Sequence, residues 1–105
     1  MAEKSAKRLK LEHSLAEDPG DEFLRYSLAV QCLRDGDLGE GRERLSALIV
    51  DLPNHVAARQ QLGQSYMDEG EAEEAAAAFR AGIACAQAVG DRHAAAEMQG
   101  MLDSL

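Results

Sequence analysis

Two copies of one pattern lie end to end in this chain, offset by 34 residues. Subtracting 34 from the later copy places Pro53 on Pro19, Gly70 on Gly36, Leu62 on Leu28, Phe79 on Leu45 and Ile83 on Ile49, with no gap inserted. Gly63 falls on Ala29, Tyr66 on Cys32 and Ala75 on Gly41, which differ in size but are compatible. A second subtraction carries Leu45 to Leu11 and Ile49 to Leu15. Chance rarely superposes both breakers and apolar anchors. A period of this length means stacked supersecondary units that share a continuous core.

Between the breakers, apolar residues recur at helical spacing. Residues of about 3–16 read as a first helix carrying Leu11 and Leu15. Asp18-Pro19-Gly20 ends it, since Pro19 forbids continuation and Gly20 permits a positive φ in the turn. A second helix, about 21–34, carries Leu24, Leu28, Val30, Cys32 and Leu33, and Gly36 suits the residue just past its end. Asp37 is expected to cap the third helix, about 38–51, with Glu40 completing a capping box. That helix bears Leu38, Leu45, Leu48 and Ile49. Gly39 and Gly41 cost it about 1 kcal/mol each relative to Ala, which makes sense where another helix approaches closely.

Pro53 breaks the chain again, and Asn54 is expected to cap a fourth helix of about 55–69 carrying Val56, Leu62, Gly63, Tyr66 and Met67. The fifth, about 72–89, is alanine-rich, which favours close helix contact. Gly90 ends it and Asp91 caps the last, whose stripe is Ala95, Met98, Leu102 and Leu105. This last helix departs from the period. Adding 34 to Leu62 and Tyr66 gives Ala96 and Gly100, whereas two further residues give Met98 and Leu102. The loop after Val89 is therefore expected to be two residues longer.

At 105 residues the chain makes one domain, too small for a large enzyme core. Aromatics are 4% and Trp is absent, so the core is expected to be Leu, Ala, Met and Ile. The net charge of −8, from 11 basic and 19 acidic residues, disfavours nucleic acid and anionic membrane as partners. Lys4, Lys7, Arg8 and Lys10 run against that balance and read as a solvated helix face. Cys32 and Cys85 form no C-x-x-C pair. With no apolar signal region and no run of about 18 apolar residues, the expectation is a reduced compartment, the cytoplasm.

Chemistry-bearing patterns are sparse. His13, His55 and His93 stand far apart and read as surface or capping residues. Glu69, Glu71, Glu73 and Glu74 surround the Gly70 turn, where a helix N-terminus stabilises carboxylates without a metal. Neither a Ser-His-Asp set nor a phosphate loop is present. The expectation is a non-enzyme with no catalytic residue, no metal and no cofactor.

Residues 62–79, LGQSYMDEGEAEEAAAAF, place Leu62, Gly63, Tyr66, Ala75 and Phe79 in the pattern L-G-x-x-Y…A-x-x-x-F. On these residues and the period, the chain resembles the tetratricopeptide repeat family over nearly its full length. Its layout is similar to small stand-alone bacterial proteins of that family. Arg59, and Arg25 in the earlier copy, stand where the family has a bulky Trp. The resemblance implies an all-α, right-handed solenoid of about six antiparallel helices. Residues 22–55 and 56–89 would be full repeats, flanked by a half-repeat helix at 1–21 and a capping helix at 90–105.

The resemblance also implies a non-catalytic protein–protein interaction module, with ligand contacts on a concave face. The corresponding positions are Phe23, Tyr26, Val30 and Leu33 in the first unit, and Ala57, Gln60, Gln64 and Met67 in the second. Independently, Phe23, Tyr26 and Val30 share one helix face by spacing. Two readings stay open for Phe23 and Tyr26: packing against the first helix or the cap, or exposure in a groove with Gln60 and Gln64. In the second reading, Phe23, Tyr26, Val30, Gln60, Gln64 and Met67 bind an unidentified peptide or protein segment. The family's lysine–asparagine carboxylate clamp would need other residues at Tyr26 and Val30. Arg34 and Arg59 are nearby cations that read as solvated. The alternative function is a structural homo-oligomer joined through repeat ends or the aromatic face.

Overall fold

The computed structural model describes residues 3–105, and the first two positions of the expected 1–21 segment lie outside them. Six helices follow one another: α1 (Ala6–Glu17), α2 (Glu22–Arg34), α3 (Leu38–Asp51), α4 (Val56–Asp68), α5 (Ala72–Val89) and α6 (Arg92–Asp103). No strand occurs among the described residues. Each helix packs chiefly on its neighbours in sequence, with a lighter contact between α2 and α4. This is the arrangement expected of stacked units that touch only adjacent units.

Local signals explain the helix ends. Asp21, Asp37 and Asp91 accept hydrogen bonds from the backbone N–H groups of Leu24, Glu40 and Ala94, at 2.8, 3.3 and 3.0 Å. Gly36, Gly70 and Gly90 follow α2, α4 and α5 with φ of 84°, 73° and 79°, conformations that L side chains rarely adopt. Gly20 does not share that conformation, because Asp18 itself closes α1 by donating its N–H to Ser14. The fourth helix is capped by His55, not Asn54: its Nδ1 accepts from the Ala58 N–H at 3.0 Å. Only half of the expected capping box forms, since the Glu40 carboxylate turns away to Arg8 and Arg44.

The period survives into the coordinates. Helices α2 and α4 start 34 residues apart, as do α3 and α5, whereas α4 and α6 start 36 apart. The two extra residues do not lie in the loop. Helix α5 has 18 residues against 14 in α3, and only Gly90 and Asp91 separate it from α6. The cause is local: Pro53 follows α3 closely, whereas no proline interrupts α5 before Gly90.

Two apolar clusters form the core. Ala29, Leu45, Leu48 and Ala58 make one, with Leu33, Ile49 and Leu62 packed against it. Ala75, Phe79, Ala86 and Met98 make the other, with Tyr66, Ile83 and Leu102 against it. Glycines let the helices close. A Cβ on Gly63 would stand 2.6 Å from the Phe79 ring, and one on Gly41 would stand 2.6 Å from Leu33 Cδ2. Gly39, by contrast, faces open space and permits no such approach.

One expectation fails at the first helix. Arg8 is not solvated: it is 1% exposed, and it is the only buried side chain of α1. No residue of α1 belongs to either apolar cluster.

Candidate partner-binding face

Two clefts run together along α2. The first, about 280 Å³, lies between α2 and α4 and is lined by Val30, Leu33, Arg34, Gln61, Gln64 and Asp68 among others. The second, about 330 Å³, is walled by Lys7 and Leu11 of α1 with Phe23, Tyr26 and Val30 of α2. Val30, Arg34 and Gln61 line both, so the two form one continuous depression.

The candidate residues divide. Phe23 is 73% exposed, a large apolar ring left in solvent. Tyr26 is half-buried: it packs against the first apolar cluster and stacks on His55, with ring centroids 5.2 Å apart and planes inclined by 29°. Burial pushes its phenol above the ordinary value, against the opposing pull of Gln61 and Arg34. Val30 and Gln64 meet at the first cleft, where Gln64 donates to Asp68 one turn on. Gln60 is directed elsewhere and donates to Glu97 of α6. Met67 packs on the second apolar cluster. Of the six, the structure therefore gathers Phe23, Tyr26, Val30 and Gln64 along the depression, whereas Gln60 and Met67 line neither cleft.

Sequence reasoning missed Gln61, Lys7 and Leu11. Gln61 sits one residue from Gln60, and only the roll of α4 decides which faces α2. Lys7 and Leu11 belong to a different unit, so no within-repeat position could name them. Arg34 is exposed and makes no ion pair among the described residues. Arg59 instead donates its Nε to the Pro53 carbonyl at 3.0 Å.

The polar joints between units are the larger surprise. Arg42 of α3 donates Nε to Ser65 Oγ at 3.1 Å and Nη2 to the Ser65 carbonyl at 3.0 Å. Its guanidinium lies 4.3 Å from the centroid of the Tyr66 ring and 3.5 Å from Glu71. The earlier copy repeats the device at the same 34-residue offset: Arg8 stands for Arg42, Asp37 for Glu71 and Cys32 for Tyr66. Arg8 Nη2 pairs with Asp37 and with Glu40, each at 3.0 Å. Because Cys32 is small, no ring covers this arginine and it sinks out of solvent.

Charges around Arg8 are tuned accordingly. Its burial disfavours the cation, yet Asp37 and Glu40 outweigh that and raise its pKa. The Cys32 thiol, 3.6 Å from Glu40, is pushed up to about 11, mainly by burial. Glu40 is lowered, first by its hydrogen bond from Arg44. Asp35 is lowered by the Ser5 N–H at 3.0 Å and by the Gln31 amide at 2.9 Å.

His13, His55 and His93 lie on or beside α1, α4 and α6, each facing a single carboxylate. No cluster of three or more His, Cys, Asp or Glu suited to a metal ion occurs among the described residues. No helix among them is long and apolar enough to cross a membrane.

Comparison with known proteins rests on structure. No protein-family model matches the chain, and no curated protein sequence matches it. A solution structure of a Bordetella parapertussis protein superposes with a TM-score of 0.84 at 26% identity, covering 95% of this chain and 87% of that one. The solution structure of a tetratricopeptide repeat domain protein from Salinibacter ruber gives 0.76 at 24% identity, covering 82% and 87%. A crystal structure of a tetratricopeptide repeat domain protein from the same organism gives 0.72 at 24%, covering 80% and 93%. The chain has the tetratricopeptide-repeat fold. In that fold the depression lies along α2, bordered by α1 on one side and α4 on the other.

Proposed function

We propose that this tetratricopeptide-repeat chain is a non-catalytic interaction module that holds a peptide or protein segment in the depression along α2. The observation that carries the reading is Phe23. A large apolar side chain stands 73% exposed at the edge of a cleft whose floor contains Val30 and whose wall contains Leu11. Aromatic anchors beside adaptable amides suit segment recognition, since the ring supplies apolar area and the amides pair with a backbone. Gln61 and Gln64 are the amides in reach of that role here. Gln60 and Met67 would contribute only to a ligand that extends across α4 toward α6.

Site-specific photocrosslinking in cells of the native source tests this. A benzoylphenylalanine at position 23 is expected to capture a partner that the same group at exposed Ala84 does not, and Tyr26→Ala is expected to weaken the capture. Crosslinks from position 23 only to further copies of the chain would favour the homo-oligomer instead. Equal capture from both positions would sink the groove assignment.

A further inference from the structure

The two inter-unit joints are built alike but supported differently. At the α3–α4 joint, Arg42 acts beside an apolar core that includes Leu45, Leu48 and Ala58. Its guanidinium stays 19% exposed. At the α1 joint, no side chain of α1 enters either core cluster, and Leu9 is 52% exposed. Beyond the half-burial of Leu11 and Leu15, the specific contacts that hold α1 are polar. Ser5 gives its N–H and its hydroxyl to Asp35 at 3.0 and 2.9 Å, Gln31 donates to Ser5, and Arg8 pairs with Asp37 and Glu40.

The central contact is also incomplete. Arg8 Nε and Nη1 are buried with no hydrogen-bond partner, although Glu12 stands 3.5 Å from Nε. A buried cation keeps its full desolvation penalty while the pairing that offsets it is partial. Asp37 and Glu40 remain 33% and 34% exposed, so water and salt reach the acceptor side of the pair.

From this we infer that α1 is a releasable helix, latched onto the α2–α3 pair through Arg8, and that its release uncovers Cys32 while the rest of the stack stays folded. Cys32 is 0% exposed, and its Sγ stands 3.6 Å from the Glu40 carboxylate with which Arg8 pairs. The charged and titratable groups facing the latch are Glu12 and Lys4 on the side of α1, Asp35 and the neutral Cys32 thiol from α2 and its cap, and Asp37, Glu40 and Arg44 from the α3 side. Because Lys7 and Leu11 wall the second cleft, release removes that wall and makes the depression sensitive to ionic strength.

Cys32 is its own reporter, and half-buried Cys85 is an internal reference. Iodoacetamide, a neutral reagent, is used on the full chain at fixed pH, with each cysteine followed by peptide mass spectrometry. Hydrogen exchange of the α5 amides monitors global opening in the same samples. Going from low salt to about 1 M NaCl, where the screening length shrinks to about 3 Å, should speed Cys32 alkylation while α5 protection holds. Asp37→Asn with Glu40→Gln strands the buried cation and should speed it by more than about tenfold. Arg8→Met removes the charge and lets both carboxylates hydrate, so Cys32 alkylation should lose its salt dependence.

Cys32 reacting only in step with α5 exchange, in the parent at every salt, would overturn the latch, since α1 would then leave only on global unfolding. A salt response retained in Arg8→Met would overturn it too. The parent experiment stands if a variant fails to fold. None of these readouts needs a bound partner, so the latch and the groove fail separately.

Discussion

Gly63 lies beneath the ring of Phe79, so close that a Cβ at 63 would stand 2.6 Å from both Cδ1 and Cε1. The ring is wholly buried between α4 and α5 and cannot swing into solvent. Gly63→Ala gains about 1 kcal/mol of helix propensity but overpacks a closed contact at about 1–3 kcal/mol, so it should destabilise. Gly63→Leu should abolish cooperative melting. Phe79→Ala should cost about 3–5 kcal/mol. Urea melts of the three variants check this, and a Gly63→Leu protein that melts like the parent would remove the helix-crossing assignment.

The arginine joint predicts a charge-conserving loss. Arg42 makes two hydrogen bonds to Ser65 and stacks on Tyr66, a geometry that a planar fork provides and an ammonium does not. Arg42→Lys should therefore cost about 1–2 kcal/mol despite keeping the charge, by loss of one bond and the stacking. An exposed pair such as Lys4 with Glu12, cut by Lys4→Ala, should cost at most about 1 kcal/mol. Chemical denaturation of both, side by side, gives the comparison. Equal losses would mean that Arg42 is an ordinary surface cation.

Why the fold could be read and the joints could not follows from what each signal requires. Helix ends depend on residues near in sequence, so Asp37, Asp91, Gly36, Gly70 and Gly90 announce them, and the 34-residue offset of the apolar anchors requires stacking. Arg8 carries no such mark. In the sequence it is one of four early cations, and only the approach of α3 reveals that Asp37 and Glu40 await it. The period did contain a clue, since Arg8 and Arg42 share the offset. Tracing apolar positions alone passes over it. The candidate face was legible at Phe23, Tyr26 and Val30, which one helix turn brings together. It was illegible at Gln61, Lys7 and Leu11, because helix roll and contact across units are tertiary facts.

Acid should loosen the chain through two named carboxylates. Asp35 and Glu40 titrate below their ordinary values in the folded state, from hydrogen bonds of Ser5 and Arg44. Groups lowered on folding bind fewer protons than in the unfolded chain. Their stabilisation is present above the unfolded range, near pH 4, and is lost as pH falls through the lowered folded values. The melting temperature should fall below about pH 4, and Asp35→Asn with Glu40→Gln should flatten that fall. A parent slope unchanged in the double variant would assign acid sensitivity to other groups.

His55 unites a cap and a ring contact that substitution can separate. Its Nδ1 accepts from Ala58, and its face meets Tyr26. His55→Asn keeps a capping acceptor and loses the ring, whereas His55→Ala loses both. The alanine variant should lose about 1 kcal/mol more than the asparagine one, the typical worth of an N-cap. Equal melting of the two in urea would show that the cap contributes nothing measurable to α4.

Phe23 supplies the sharpest contrast between stability and binding. Burial is what makes an aromatic ring stabilise a fold, and a ring 73% exposed contributes little of it. Phe23→Ala should leave the melting temperature nearly unchanged. If the ring anchors a segment, the same change should weaken binding of the captured partner by at least about tenfold, the level of an anchor residue. Titration calorimetry with that partner, beside a thermal melt of the variant, separates the two effects. A variant that binds like the parent means the segment passes the ring by, whereas one that melts well below the parent means Phe23 packs in solution and the groove begins deeper, at Val30.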